Sequence, residues 1–156
     1  MKLEEEIHQP NFYNKHHKLR INLLYTFNWF RAQIKSFLDQ YELTQQQFNV
    51  LRILRGSFPD PISTKEITRR SVDRYTDSSR VVDRLLKKGL VKKENCPNDK
   101  RLVHVTITSQ GLELLLCIDK QMDGLDNITK NLNEEQIDQL NTLLDTLRGE
   151  DRLDKE

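Results

Sequence analysis

Residues 14–38 carry the pattern that most restricts this chain. Apolar residues recur at Leu19, Leu23, Phe27, Phe30, Ile34 and Phe37, in steps of three and four that predict a long amphipathic helix. A second set, Ile21, Leu24, Tyr25 and Trp29, widens the apolar face well beyond one stripe. A helix that is apolar over most of its circumference needs cover on two sides. In a chain of 156 residues, the easiest supplier of the second side is another subunit.

The next segments are shorter and better punctuated. "LTQQQFNVLRILRG" opens with Thr44 and Gln47 at capping-box spacing, faces its core with Phe48, Leu51 and Leu54, and has Gly56 as its expected stop. After a loop containing Pro59 and Pro61, Ser63 and Glu66 repeat the capping-box spacing and open a short helix ending near Ser71. "VDRY" lacks core periodicity and reads as a turn. "TDSSRVVDRLLKKG" restarts a helix with Thr76 or Tyr75 near the cap, Asp77 in the first turn, Val81, Val82 and Leu85 facing the core, and Gly89 closing it. Two short helices joined by a tight turn form a helix-turn-helix pattern.

Residues 90–94 and 102–107 read as two strands, joined by a Cys96–Arg101 tip with a Pro-Asn-Asp turn signal followed by Lys100 and Arg101. Helical spacing returns with Leu112, Leu115, Leu116 and Ile118. A last helix starts at an Asn133 cap and aligns Ile137, Leu140, Leu144 and Leu147.

Charge is unevenly spread. Residues 65–104 hold twelve Lys or Arg against six Asp or Glu, while the rest holds thirteen against eighteen. A basic middle between acidic ends is the footprint of a local nucleic-acid-binding unit, although a solvated charged face gives the same count. With 31% charged and 36% hydrophobic residues, the chain suits a helix-rich protein that needs neither disulfides nor metals to fold. Cys96 and Cys117 lack framework spacing, which reads as a reducing, cytoplasmic location. The acidic "MKLEEEIHQP" lacks the basic n-region and apolar stretch expected of a signal peptide, so none is expected, and no apolar run approaches a membrane span.

The run "LLKKGLVKKENCPNDKRLVHVTITSQG", Leu85 to Gly111, resembles the multiple-antibiotic-resistance regulator (MarR) family of bacterial transcription factors. The matching residues are Gly89-Leu90-Val91, then Asp99 and Arg101, then Thr108 and Gly111. "LTQQQFNVLRIL" and "SSRVVDRL" also resemble family helices, and the likeness runs from about Leu19 to Leu147. Two departures are Lys100, where many members have Arg, which gives up planar bidentate reach, and Thr68, where a small apolar residue is more usual.

The resemblance implies a mainly α fold with a small β-wing (α+β) in one MarR-like domain over 1–156. A winged helix-turn-helix lobe spans 44–108, and helices within 11–40 and 109–148 form a dimerisation domain. It implies a homodimer that presents two recognition helices to a pseudo-palindromic operator in double-stranded DNA, most simply as a repressor. Thr76, Ser78, Ser79 and Arg80, at the start of the recognition helix, are the expected base or adjacent phosphate contacts. Arg74 and Tyr75 would hold the sugar-phosphate backbone. Arg69, Arg70, Lys87, Lys88, Lys92 and Lys93 are weaker phosphate candidates. In the family the wing arginine, here Arg101, enters the minor groove, with Asp99 steering it and Lys100 beside it at the tip. The alternative is a winged-helix module that binds another protein and no DNA.

No nucleophile–base pair, phosphate loop or carboxylate pair points to an enzyme, and no cofactor is expected. His16 and His17 diverge on a helix and make no metal site. Cys117, among leucines, reads as a small core residue, and Cys96 sits beside wing cations, which favour a thiolate. Family members often bind a small aromatic or anionic effector; Phe12, Tyr13, Tyr25, Trp29 and Phe48 suit a cavity, but at helical spacing they suit core or interface equally.

Overall fold

A computed structural model describes residues 2–73, 77–95 and 103–149. Helix α1 spans Leu3–Glu6 and α2 spans Lys15–Asp39; α3 covers Gln45–Ser57. Strand β1 (Ile62–Ser63) leads into α4 (Thr64–Arg70), then α5 (Ser78–Lys87). Strands β2 (Val91–Asn95) and β3 (Val103–Ile107) precede α6 (Ser109–Asp119), α7 (Asp123–Asp126), a 3-10 turn and α8 (Glu134–Arg148).

The helix starts are set by local chemistry. Thr44, Ser63 and Asn133 each turn a side-chain oxygen to a free amide of the first turn, as their sequence positions predict, and Asn14 and Thr108 do the same for α2 and α6. Two expectations shift by a residue or more. The cap of α5 is Asp77, whose carboxylate accepts from the Arg80 amide at 3.2 Å. Gly56 does not end α3, which runs on to Ser57 with Phe58 as its C-cap. Gly89 does close α5, with φ at 72°, the left-handed conformation that favours glycine.

The lobe is built around α3, α4 and α5. Leu51, Leu54, Ile67, Val82, Leu85, Val91 and Val105 form its dry centre, each at most 1% exposed. The sheet is antiparallel in the order β1-β3-β2, with Ile62 opposite Val105 and Lys93 opposite Val105 on the other edge. Leu38 from α2, and Leu115 and Ile118 from α6, join the same cluster. Helix α2 therefore joins the lobe's core only near its C-terminal end, through Ile34, Phe37 and Leu38.

Elsewhere the long helices are bare in a single chain. On α2, Leu19, Leu24, Phe27, Trp29 and Phe30 are exposed, and α8 buries no residue at all. Leu140, Leu143 and Leu147 lie open along α8. Short α1, not anticipated from sequence, folds back on α2: Leu3 is buried, Glu4 pairs with Lys18, and the Tyr25 hydroxyl donates to Glu6 at 2.7 Å. Glu6 as acceptor pushes the Tyr25 phenol above its usual range. Cys117 is exposed rather than core, because on α6 the buried positions are Gly111, Leu115 and Ile118.

Candidate nucleic-acid interface

Helix α5 divides cleanly by periodicity. Ser78, Val81, Val82 and Leu85 face inward, while Ser79, Arg80, Asp83, Arg84 and Lys87 face out. Arg80, Arg84 and Lys87 follow one another at steps of four and three, so they share a stripe along the outer face. Arg84 was not among the sequence candidates, although its spacing from Arg80 was the available signal. Arg84, Lys87 and Lys92 have no ion-pair partner among the described residues.

Of the expected contact residues, Ser79 and Arg80 are exposed at the first turn of α5. Arg80 Nε lies 3.1 Å from the Asp77 carboxylate, so the cap also steadies the guanidinium. An exposed pair of this kind is worth about 0–1 kcal/mol and exchanges readily for a stronger anion. Ser78 is placed differently from expectation. It is 4% exposed, and its hydroxyl lies 2.8 Å from Thr68 Oγ1, while Thr68 also donates to the Thr64 carbonyl. The Thr68 departure thus supplies a polar clip between the two helices of the helix-turn-helix, with Ser78 as its other half. Arg74, Tyr75, Thr76, Asp99, Lys100 and Arg101, together with Cys96, lie outside the described residues.

Several weaker phosphate candidates are occupied within the protein. Arg69 grips Glu66 with two bonds, at 2.8 and 2.7 Å, and Arg70 reaches both Glu66 and the Ser57 hydroxyl. These guanidinium bonds, Arg69 first and Arg70 second, hold the Glu66 carboxyl at about 2, well below its ordinary 4.5. Lys88 donates to the Glu42 carbonyl at 2.8 Å. Lys93, on β2, donates to Asp83 of α5. Arg55 and Asp119 form a two-point bond across 64 residues of sequence, tying α3 to α6.

The wing is seated just as firmly. Thr108 caps α6 through the Gly111 amide, donates its hydroxyl to the Gly89 carbonyl at 2.8 Å, and donates its own amide to Leu90 at 3.0 Å. The end of α5, the root of β2 and the start of α6 therefore meet at one residue. Among the described residues no group of three or more His, Cys, Asp or Glu is placed to hold a metal, and no helix is long and apolar enough to cross a membrane. His17 is engaged locally, edge-on to Phe12 and accepting from the Tyr13 amide.

A helix-turn-helix with a cationic outer helix and an antiparallel hairpin behind it is a winged helix-turn-helix lobe. A profile of the MarR family matches residues 43–103. The transcriptional regulator FarR of Neisseria gonorrhoeae is 30% identical over 136 residues, covering 84% of this chain and 89% of FarR. MarR of Escherichia coli K12 is 32% identical over 116 residues, 71% of this chain and 77% of its own. Among solved structures, a cysteine-to-serine variant of E. coli MarR complexed with operator DNA matches with TM-score 0.74 and 27% identity, covering 94% of this chain and 99% of that one. A MarR-like regulator from Bacillus cereus matches the fold with TM-score 0.76 at 22% identity, covering 89% of this chain and 98% of that one. The chain belongs to the MarR family of transcriptional regulators.

Proposed function

We propose that the protein is a cytoplasmic homodimer that binds a pseudo-palindromic operator in double-stranded DNA and represses transcription. A small aromatic or anionic effector would relieve that binding. The outer stripe of α5 carries the reading: three cations at helical spacing, backed by an inner face of Val81, Val82 and Leu85 with Ser78 clipped to Thr68. Arg80 and Arg84 are suited to guanine edges or adjacent phosphates, and Ser79 to either. Arg101, with Asp99 and Lys100, is assigned to the minor groove from its family position, and Arg74, Tyr75 and Thr76 to the approach to α5. Ser78 is withdrawn from that set because its hydroxyl is occupied by Thr68. The similarity to a MarR variant complexed with operator DNA supports the same use of the lobe here.

The dimer assignment rests on the open leucines of α8 and the aromatic flank of α2. Exposed apolar surface of that extent is retained where a partner covers it. Light scattering should give twice the 18.5 kDa chain mass. In vitro selection from random duplexes should enrich a sequence with two related half-sites about 34–36 Å apart. Anisotropy with that duplex should then show at least a tenfold loss for Arg80→Ala and for Arg101→Ala, about 1.4 kcal/mol or more. Selection that enriches nothing would overturn the assignment.

A further inference from the structure

The geometry points to the Asp83–Lys93 ion pair as a positioning clamp that sets the wing relative to the recognition helix. This rests on the DNA-binding reading above, but its mechanical part can be judged without DNA. Asp83 lies on the outer, solvent-facing side of α5, amid Ser79, Arg80, Arg84 and Lys87. A carboxylate there is unfavourable for a surface that approaches a polyanion. Lys93 comes from the opposite element. On β2 side chains alternate, so Lys93 points to the same side as buried Val91, and it lies opposite buried Val105.

Lys93 thus fills the slot where an apolar residue would extend the core. Its stem is covered and its ammonium ends 2.5 Å from the Asp83 carboxylate. The Lys93 side chain is 25% exposed and that of Asp83 54%, so the pair is partly sheltered from solvent. Among the described residues it is the only ion pair joining α5 to the hairpin. The wing root is fixed separately by Val91, Ile107 and Thr108. Beyond the root, β3 is held at Val105 by the core and by pairing with Ile62, whereas β2 is the edge strand, and the Asp83–Lys93 bond ties that edge directly to α5. A helix in one groove and a wing in the next must be spaced correctly at the same time, so a fixed hairpin favours binding through both.

Charge alone and positioning predict opposite signs for one variant. If Asp83 were only a surface carboxylate, Asp83→Asn would tighten DNA binding by removing repulsion. As a clamp, its loss weakens binding to the selected duplex by about three- to tenfold. The pair-reversing double variant, Asp83→Lys with Lys93→Asp, keeps the net charge and should recover most of that loss. Hydrogen exchange on DNA-free protein gives the second readout: amides of β2 and β3 should exchange faster in Asp83→Asn and slow again in the double variant. Tighter binding with unchanged exchange would overturn the clamp. Weakened binding that the reversal does not restore would also overturn it, assigning Asp83 to direct base contact instead. Should the wild type select no duplex, the DNA-binding reading fails, and exchange in the hairpin still decides whether the clamp exists.

Discussion

Gly111→Ala probes the joint between the lobe and the helix that leaves it. A methyl group at this position would stand 2.4 Å from the Leu90 carbonyl oxygen, 2.7 Å from Ile107 Cγ1 and 3.2 Å from Ile107 Cδ1. The δ-carbon can rotate away. The carbonyl cannot, because it accepts the Thr108 amide at 3.0 Å, and Ile107 is 2% exposed with no room to retreat. In an open helix, alanine gains about 1 kcal/mol over glycine. Overpacking a filled site costs about 1–3 kcal/mol and sometimes more, and two contacts under 3.0 Å place this site at the upper end. The net expectation is a loss of about 2 kcal/mol, or about 4–8 °C in melting temperature for a chain of this size. Circular dichroism on heating would measure it at one fixed protein concentration, since assembly makes apparent stability concentration-dependent. Gly56→Ala is the control of opposite sign. A methyl there meets nothing within 4 Å, so it should gain up to about 1 kcal/mol. A Gly111→Ala protein as stable as wild type would refute the packing argument.

Two further outcomes follow from single side chains. Glu66 has its carboxyl lowered to about 2 from 4.5, so its contribution to stability is fully present above pH 4.5 and is lost as pH falls toward 2. The difference in urea midpoint between wild type and Glu66→Gln should therefore narrow between about pH 6 and about pH 3; a gap that stays constant would contradict the pairing with Arg69 and Arg70. Ser78→Ala should cost about 1 kcal/mol of unfolding free energy by removing the bond to Thr68, with DNA affinity of the folded protein little changed. A large affinity loss at unchanged stability would return Ser78 to the contact surface.

Much of the fold was readable because it rests on periodicity and capping, which are local. The wide apolar face of α2 and the caps at Thr44, Ser63 and Asn133 needed no partner from elsewhere in the chain. Gly56 misled because glycine ends a helix where a left-handed residue is required, and α3 needs none there. Cys117 was assigned to the core from its leucine neighbours, although the buried spacing of Gly111, Leu115 and Ile118 skips it. In the interface, the Arg80 stripe was visible and Arg84 was overlooked one turn along it. Ser78 and Thr68, Asp83 and Lys93, and Arg55 and Asp119 were beyond reach: each is a tertiary pairing, and one sequence shows neither end which partner it has.

Thr108 has a mechanical consequence. Because one residue fastens the end of α5, the root of β2 and the start of α6, the corner has little slack, and a turn there carries α5 and the lobe packed against it as one arm. Ten residues of helix reach about 15 Å. A rotation of about 10° at the corner would swing the far end of α5 through roughly 2.6 Å. Hydrogen-bond distances span only about half an ångström between good and lost. On the proposed DNA-binding role, a twist too small to alter any packing class would therefore shift Ser79 and Arg80 together by more than a hydrogen bond tolerates, and the sensitivity of that grip would be set by the length of the arm.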